Sequence, residues 1–465
     1  MAFYGREKEL NMLRNAINQR ESHCFLVTGQ HGIGKTAFIA HLLKGAKADV
    51  LFFQCLKASA EQNAFALAQA ISEMPTSKGT SLIRKGHQPS LHDLFYLLFQ
   101  MYSNDLIIVL DEYSNLRKSL PDADDLIRSA IQDCIDRNKF IILCDSDADL
   151  LNHLCSRNGP FWKLSASPIQ LAAMDYVEAA SFYPEHSHED KVRLYAAFGG
   201  LPAFAHLIDP KASVRENITR CFIGPDALAG HCIRELLEKA ANSENVNSVL
   251  YAMAYGADSF ADILTQSHLS SAPTLSDTLN KLLEMDMIRR ETPVNDPDNR
   301  RRAKYRIANH AVSFWFRYIF PRQSLLYTMT PDAFYDLCIA DDFEQHFLPA
   351  VFTDICAQYL HRLYHTDASE SVRQIGRYSL YDRHAKIMHD VPLVVVDSEE
   401  TETCLPVCTN EPLTNDEIYA EVNRIRDKAR LYCNRYCFIS FKGFIDMSPV
   451  RQVQKLTIAD LYQNM

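Results

Sequence analysis

Residues 26–36, with the sequence LVTGQHGIGKT, have the residue types and the spacing that hold the phosphate groups of a nucleotide. Glycines allow the backbone to turn tightly and to direct N–H groups at phosphate oxygens, and the positive end of the following helix adds to the attraction. The segment matches the G-x-x-x-x-G-K-[ST] pattern. We therefore predict a phosphate-binding loop that comprises Gly29, Gly32, Ile33, Gly34, Lys35, Thr36 and Ala37.

Two carboxylates follow the apolar run LIIVL at residues 106–110. The carboxyl end of such a strand is where open α/β sheets bind their ligands. We expect Lys35 to reach the β- and γ-phosphates of ATP, and Thr36 and Asp111 to coordinate Mg²⁺. Glu112 is the predicted general base, because in-line attack on the γ-phosphate requires a positioned water molecule. Lys35, Asp111 and Glu112 are thus the predicted catalytic residues of an ATP hydrolase.

These motifs need a sheet that brings them together. Strand-like apolar runs alternate with helical stretches up to about residue 175, and they lie at residues 23–28, 50–56, 106–110, 140–145 and 168–174. This alternation is typical of a parallel sheet covered by helices on both faces. We predict an α/β fold with a P-loop NTPase sheet, followed by a helical region that is interrupted at Gly199, Gly200 and Pro202.

The composition restricts the class of protein. A chain of 465 residues has room for about three or four domains. No apolar run approaches the roughly 18 residues of a membrane span, and no export leader is recognised, so we expect a cytoplasmic protein without a membrane partner. The net charge of −10 argues against a general nucleic-acid coat.

Thirteen cysteines are scattered singly along the chain, which indicates free thiols in a reducing compartment. Two pairs have the same spacing, because three residues separate Cys404 from Cys408 and Cys433 from Cys437. Zinc binding there is an alternative to packed thiols, but this spacing on extended chain is not that of a zinc knuckle. We therefore take packed thiols as the default for Cys404, Cys408, Cys433 and Cys437.

Residues 245–308 have the pattern of three short helices followed by a basic hairpin. A helix-turn-helix with such a wing contacts the phosphates of double-stranded DNA. The alternative is a solvated hairpin on a winged-helix domain that packs against the ATPase portion. Both interpretations stay open for the basic residues Arg300, Arg301, Arg302 and Lys304.

The order of the motifs resembles one family. FYGREKELNML near the amino terminus, the phosphate-binding loop, IIVLDE, GGLPAF, the winged-helix pattern and FWFRYIFP follow one another as in archaeal-type ATPases with a nuclease-like C-terminal domain. These belong to the signal-transduction ATPases with numerous domains (STAND), which are related to AAA+ proteins. The resemblance implies a P-loop ATPase core, a helical lid, a winged helix, and a helical linker with a nuclease-like α/β domain, at residues 1–175, 176–240, 241–308 and 309–465.

The resemblance also implies site residues outside the loop. Tyr4 and Arg6 would lie near the adenine, and Pro202 would touch the nucleotide from the lid. Asp145 or Ser146 would sense the γ-phosphate at the end of the fourth core strand. Where the family often has an arginine, this chain offers only Lys163, which implies slow hydrolysis because arginine usually stabilises the developing charge.

In the family's nuclease-like core, one strand presents an Asp and the next a Glu-x-Lys, the groups that metal-assisted cleavage needs. Here Pro392 stands at the Asp position, Pro406 at the Glu position and Cys408 at the Lys position. We therefore expect a pseudo-nuclease. Asp390 or Asp397 would serve only if the alignment is shifted by a residue.

Together these features predict an ATP-operated switch whose nucleotide state controls the winged-helix and C-terminal domains. A protein partner or self-association would receive the signal. Two alternatives belong to other classes: a DNA-binding regulator that ATP tunes, and an ATP-gated nuclease with a relocated metal site.

Overall fold

The computed structural model describes residues 3–19, 23–74, 89–102, 104–134, 139–164, 168–224, 227–238, 243–365, 374–382, 384–396 and 401–463. The chain divides into two compact units, Met1–Ala173 and Met174–Met465. Within the part of the chain that is described, no helix is both long and apolar enough to span a bilayer.

The first unit is built on a five-stranded parallel sheet in the order β2-β3-β4-β1-β5. The strands are β1 Cys24–Thr28, β2 Asp49–Gln54, β3 Leu106–Asp111, β4 Lys139–Asp145 and β5 Ile169–Gln170. All residues of β1, β3 and β4 are buried, as expected for central strands that helices cover on both faces. The predicted α/β parallel sheet is confirmed.

Helices connect these strands in the first unit. They are α1 Glu7–Gln19, α2 Lys35–Leu42, α3 Ala60–Ser72, α4 Leu91–Tyr96 with a π-helical extension Leu97–Met101, α5 Tyr113–Ser119, α6 Ala123–Cys134 and α7 Ala148–Cys155. The strand expected over residues 168–174 is shorter than predicted, because only Val27 and Thr28 of β1 pair with it.

The second unit begins with helices, as the sequence predicts. They are α8 Tyr176–Ala180, α9 His188–Phe198, α10 Pro202–Ala205, α11 Val214–Phe222 and α12 Leu228–Glu238. Residue 200, between α9 and α10, has no room for a side chain, because a Cβ on Gly200 would lie 1.9 Å from the carbonyl oxygen of Met174. The carbonyl of Gly200 in turn accepts a 2.8 Å hydrogen bond from the Met174 N–H.

Three helices and an antiparallel hairpin follow, which is the predicted element order: α13 Ser243–Ala254, α14 Phe260–Gln266, α15 Ala272–Glu284, β6 Ile288–Glu291 and β7 Lys304–Ile307. Further helices then lead to the last region. They are α16 His310–Phe314, π-helical Trp315–Ile319, 3₁₀-helical Phe320–Tyr327, α17 Pro331–Cys338, α18 Ala340–Asp342, π-helical Phe343–Phe347 and α19 Leu348–His365.

The C-terminal α/β region has a five-stranded mixed sheet in the order β12-β11-β10-β9-β8. Neighbouring strands from β8 to β10 pair antiparallel, whereas β10, β11 and β12 pair parallel. Its elements are β8 Gln374–Asp382, β9 Ile387–Val396, β10 Thr401–Val407, α20 Asn415–Asp427, β11 Arg435–Ser440, β12 Val453–Thr457 and α21 Asp460–Gln463.

Candidate functional site

The predicted phosphate-binding loop connects β1 to α2 at the carboxyl edge of the sheet. Gly29, Gly32 and Gly34 have φ values of 155°, 78° and 87°, which L side chains rarely adopt. A Cβ on Gly29 would also come within 2.7 Å of the Leu171 carbonyl oxygen. Ile33 is buried and anchors the middle of the loop. The glycines are therefore required by the path of the backbone.

Lys35 is the first residue of α2, and its side chain turns back into the loop. The residue is only 6% exposed. Its Nζ donates hydrogen bonds to the carbonyl oxygen of Gly29 at 2.9 Å and to Oγ of Ser146 at 3.4 Å. The ammonium group thus places a buried positive charge at the start of α2, where the helix dipole also attracts anions.

Thr36 and Asp111 meet beside the loop, as the predicted Mg²⁺ site requires. Oγ1 of Thr36 donates a 2.8 Å hydrogen bond to Oδ2 of Asp111, which is 4% exposed. Among the described residues, no group of three or more His, Cys, Asp or Glu side chains converges on one point. This sparse oxygen set fits Mg²⁺, which usually takes one or two carboxylates plus substrate phosphates and water.

Glu112 follows β3 and has an uncommon backbone conformation, with φ 54° and ψ 50°. Non-glycine residues in this region are strained and cluster at functional sites. The Oγ of Ser146 donates a 3.2 Å hydrogen bond to Oε1 of Glu112. Ser146 therefore bridges Lys35 and Glu112, and the three side chains from separate motifs form one cluster.

The two residues suggested as γ-phosphate sensors differ in their contacts. Ser146 contacts both Lys35 and Glu112. The Asp145 carboxylate instead accepts hydrogen bonds from two backbone N–H groups. Ser146 therefore belongs to the cluster with Lys35 and Glu112, and contact of either residue with a bound nucleotide stays a prediction.

Residues of the amino-terminal motif, Phe3 and Arg6, contact the phosphate-binding loop and the helix α2 that follows it. Arg6 is 5% exposed, and its Nη2 donates to the carbonyl oxygens of Ile33 at 3.1 Å and Ala172 at 3.0 Å. The Phe3 ring stacks on His41 of α2, with centroids 4.4 Å apart. The sequence did not reveal this supporting role of Arg6. Proximity of Tyr4 and Arg6 to the adenine stays a prediction.

Two other predicted residues, Pro202 and Lys163, are described by their own surroundings. Pro202 is buried at the start of α10 in the second unit, and its role toward the nucleotide stays a prediction. Lys163 is exposed with φ 62°, and it makes no hydrogen bond or ion pair with another residue that the structure describes. It gives no observed substitute for the missing arginine.

The basic hairpin is partly neutralised by acidic residues. Arg302 pairs with Asp296 at 3.4 Å, and Nζ of Lys304 lies 2.9 Å from Asp258 and 3.5 Å from Asp390. The side chains left exposed are those of Arg300 and Arg301. Of the four basic residues predicted to bind DNA, these two are therefore the ones available at the surface.

The hairpin tip packs against β8 of the C-terminal sheet, a partner that the sequence did not predict. The Val294 N–H donates to the Arg377 carbonyl at 2.9 Å. Asn295 exchanges two hydrogen bonds with the backbone of Ser379, at 3.0 and 3.1 Å. The tip is thus held against the edge strand of the sheet.

The base of the hairpin is anchored to α19 through Asp354. This carboxylate lies 3.2 Å from Arg289, 3.6 Å from Arg306 and 3.2 Å from Nε2 of His310. Burial alone would raise the pKa of Asp354, but its hydrogen bond with His310 and the two guanidinium charges lower the pKa to about 2. The hairpin, α16 and α19 are thereby joined.

The expected nuclease positions carry no acidic side chain. Pro392 lies in β9 and Pro406 lies in β10. Asp390 accepts hydrogen bonds from Ser379 Oγ at 2.6 Å and Arg377 Nη1 at 3.0 Å. Asp397 lies outside the described residues. Asp390 is therefore held by an arginine and a serine, in addition to its ion pair with Lys304.

The cysteines considered for zinc are free thiols where their side chains are described. Cys437 is buried, and Cys408 and Cys433 are partly exposed. The side chain of Cys404 is not among those that the structure describes. Burial raises the pKa of the Cys408 thiol to about 12, which opposes the thiolate form that binds metal.

Comparison with known proteins agrees with this site. Residues 2–130 match the family model of the AAA ATPase domain. Residues 315–419 match a model described as archaeal and bacterial proteins of unknown function. The parallel sheet, the loop geometry and the domain match define the first unit as a nucleotide-binding P-loop ATPase domain.

Three of the similar proteins come from archaea. An uncharacterized protein of Methanocaldococcus jannaschii is 22% identical over 263 residues, which cover 56% of this chain and only 58% of that relative. A Walker-type ATPase of Pyrococcus abyssi is 19% identical with a TM-score of 0.51, covering 68% of this chain and 96% of that one. The ORC2 protein of Aeropyrum pernix is 13% identical with a TM-score of 0.42, covering 76% and 95%.

Proposed function

We propose that this protein is an ATP-binding and slowly hydrolysing switch of the STAND type. The observation that supports the proposal is the cluster in which Ser146 bridges Lys35 and Glu112, next to the Thr36–Asp111 pair. A cation for phosphates, oxygen ligands for a metal, and a carboxylate base are the parts that phosphoryl transfer to water needs.

Each residue then has a distinct role. Lys35 neutralises the β- and γ-phosphates, and Glu112 orients a water molecule and accepts its proton. Thr36 and Asp111 would hold Mg²⁺, which when bound supplies charge neutralisation at the phosphates. Ser146 senses the γ-phosphate because its hydroxyl already lies between the cation and the base. The absence of an arginine at the position of Lys163 supports a low turnover.

The second unit would carry the output. We assign a helical lid to residues 176–240, a winged helix to residues 241–308, and a helical linker with a pseudo-nuclease to residues 309–465. Asp354 joins the hairpin to α19, and Tyr176 of α8 donates a 2.6 Å hydrogen bond to the carbonyl of Leu461 in α21. These contacts support a conformational change of the second unit as one body. That change would alter binding to a protein partner or self-association.

The switch is tested by amide hydrogen exchange in two nucleotide states. The Glu112→Gln protein loaded with Mg·ATP represents the ATP state, and the wild-type protein with Mg·ADP represents the ADP state. We expect exchange to differ in α8–α12 and in the hairpin, not only in the phosphate-binding loop. Equal exchange throughout Met174–Met465 in both states would contradict a switch, while leaving ATP hydrolysis intact as a function.

DNA binding is the second candidate function, and the exposure of Arg300 and Arg301 is the observation that favours it. Each lost phosphate contact removes roughly 0.9 from the slope of log K against log salt. We therefore expect Arg300→Ala/Arg301→Ala to reduce the slope of duplex binding by about 2, and Arg302→Ala to change it little because Arg302 is paired with Asp296. Fluorescence anisotropy at several salt concentrations measures this. A wild-type protein without salt-dependent binding would exclude the DNA-binding function.

We expect the C-terminal region to cleave neither DNA nor RNA. Proline supplies no metal ligand at the two acid positions, and Asp390 is occupied by Arg377, Ser379 and Lys304. The assay uses linear and supercoiled DNA and RNA with Mg²⁺ or Mn²⁺, with and without ATP. A relocated nuclease site would be established instead if the protein cleaves nucleic acid, if Asp390→Ala or Asp397→Ala abolishes that cleavage, and if Lys35→Ala does not.

A further inference from the structure

Asp145 at the end of β4 uses both oxygens of its carboxylate to hold backbone. Oδ2 accepts a 2.6 Å hydrogen bond from the N–H of Ser114, and Oδ1 accepts a 2.9 Å hydrogen bond from the N–H of Asp147. The residue is 2% exposed. Ser114 lies in the first turn of α5, just after β3, and Asp147 lies in the turn between β4 and α7, so one side chain joins two separate turns.

These two turns carry the residues assigned to hydrolysis. Glu112 stands two positions before Ser114, and Ser146 directly precedes Asp147. Glu112 has the left-handed conformation of φ 54° and ψ 50°, which persists only when its surroundings hold it in place. Its hydrogen bond with Ser146, at 3.2 Å, requires both turns to keep their spacing.

We propose that Asp145 is a positioning residue for ATP hydrolysis, which fixes the turn bearing Glu112 against the turn bearing Ser146. This inference rests on the proposed ATPase function. A carboxylate is needed because both of its oxygens are acceptors, whereas an amide offers one acceptor and an NH₂ group that cannot accept an N–H. The contacts that support this inference are the two hydrogen bonds from the backbone N–H groups of Ser114 and Asp147, so we expect the loss of Asp145 to affect hydrolysis more than nucleotide binding.

The first test is Asp145→Asn, with kcat and the Kd for Mg·ATP measured separately. A displacement of about 1 Å in a catalytic group lowers the rate by roughly 10²-fold. We expect kcat to fall by about 10- to 100-fold and the Kd to change less than about threefold, because the substitution displaces the base Glu112 and leaves the phosphate-binding residues in place. Asp147→Asn is the matched control, because its side chain caps α7 through the Leu150 N–H and asparagine caps equally well.

The second test separates positioning from a general structural defect. If Asp145 acts through Glu112, adding Asp145→Asn to Glu112→Gln lowers kcat no further, since residues that act as a unit are not additive. Asp145→Ser, whose hydroxyl retains one acceptor, gives the same comparison if the asparagine variant does not fold.

The outcomes distinguish the inference from the function on which it rests. A wild-type protein that binds but never hydrolyses ATP would refute the ATPase proposal. If the wild-type protein hydrolyses ATP, three results with Asp145→Asn would overturn only the role of Asp145. These are full kcat, a parallel loss of kcat and ATP affinity, or a further loss of activity in the Glu112→Gln background.

Discussion

Lys35→Ala is expected to bind Mg·ATP at least about 30-fold more weakly than the parent protein. Removing one partner of a buried charged contact costs about 2–5 kcal/mol, and each 1.4 kcal/mol is a factor of ten in affinity. Lys35 is 6% exposed and lies within the glycine loop, so water replaces its charge poorly. Isothermal calorimetry with Mg·ATP measures the change.

The control for this result is Lys44→Ala, which removes an exposed lysine shortly after α2. Lys35→Met is a second variant, because methionine keeps the apolar stem while the charge is lost. Both lysine substitutions at position 35 also remove the hydrogen bond with Gly29, so the melting temperature is compared in the absence of nucleotide. ATP affinity equal to that of the parent in a folded Lys35→Ala protein would refute the phosphate-loop assignment.

Glu112→Gln is expected to retain ATP binding and to lose most of its turnover. Glutamine keeps the shape of the side chain and an oxygen that accepts the hydrogen bond from Ser146, but it cannot accept a proton. A positioned general base contributes about 10²–10⁴-fold to the rate, and we expect kcat to fall by that factor. Phosphate release under saturating Mg·ATP measures kcat, and calorimetry confirms unchanged binding.

Glu61→Gln is the matched control, since Glu61 is an exposed glutamate of α3 in the same unit. It should leave phosphate release unchanged. If Glu112→Gln releases phosphate as fast as the parent, Glu112 is not the base. The pair of results at positions 35 and 112 separates the residue that binds phosphate from the residue that activates water.

The sequence contained the signals for the phosphate loop and the sheet because these depend on local properties. The glycines at positions 29, 32 and 34 permit positive φ values whatever surrounds them, and the observed loop uses that freedom. The continuous apolar runs of β1, β3 and β4 can be satisfied only by burial on both faces, which a parallel sheet supplies. Lys35, Thr36, Asp111 and Glu112 were predicted together because parallel strands end at one edge.

Only the tertiary structure decided which side chains contact backbone groups that are distant in the sequence. Arg6 binds the carbonyls of Ile33 and Ala172, Asp145 binds the amide of Ser114, and the hairpin tip binds β8. Each partner is a backbone group, which every residue carries, so the sequence has no residue-specific signal for it. The partial neutralisation of the basic hairpin has the same origin: Asp258 and Asp390 are ordinary acidic residues until folding brings both within 3.5 Å of Lys304.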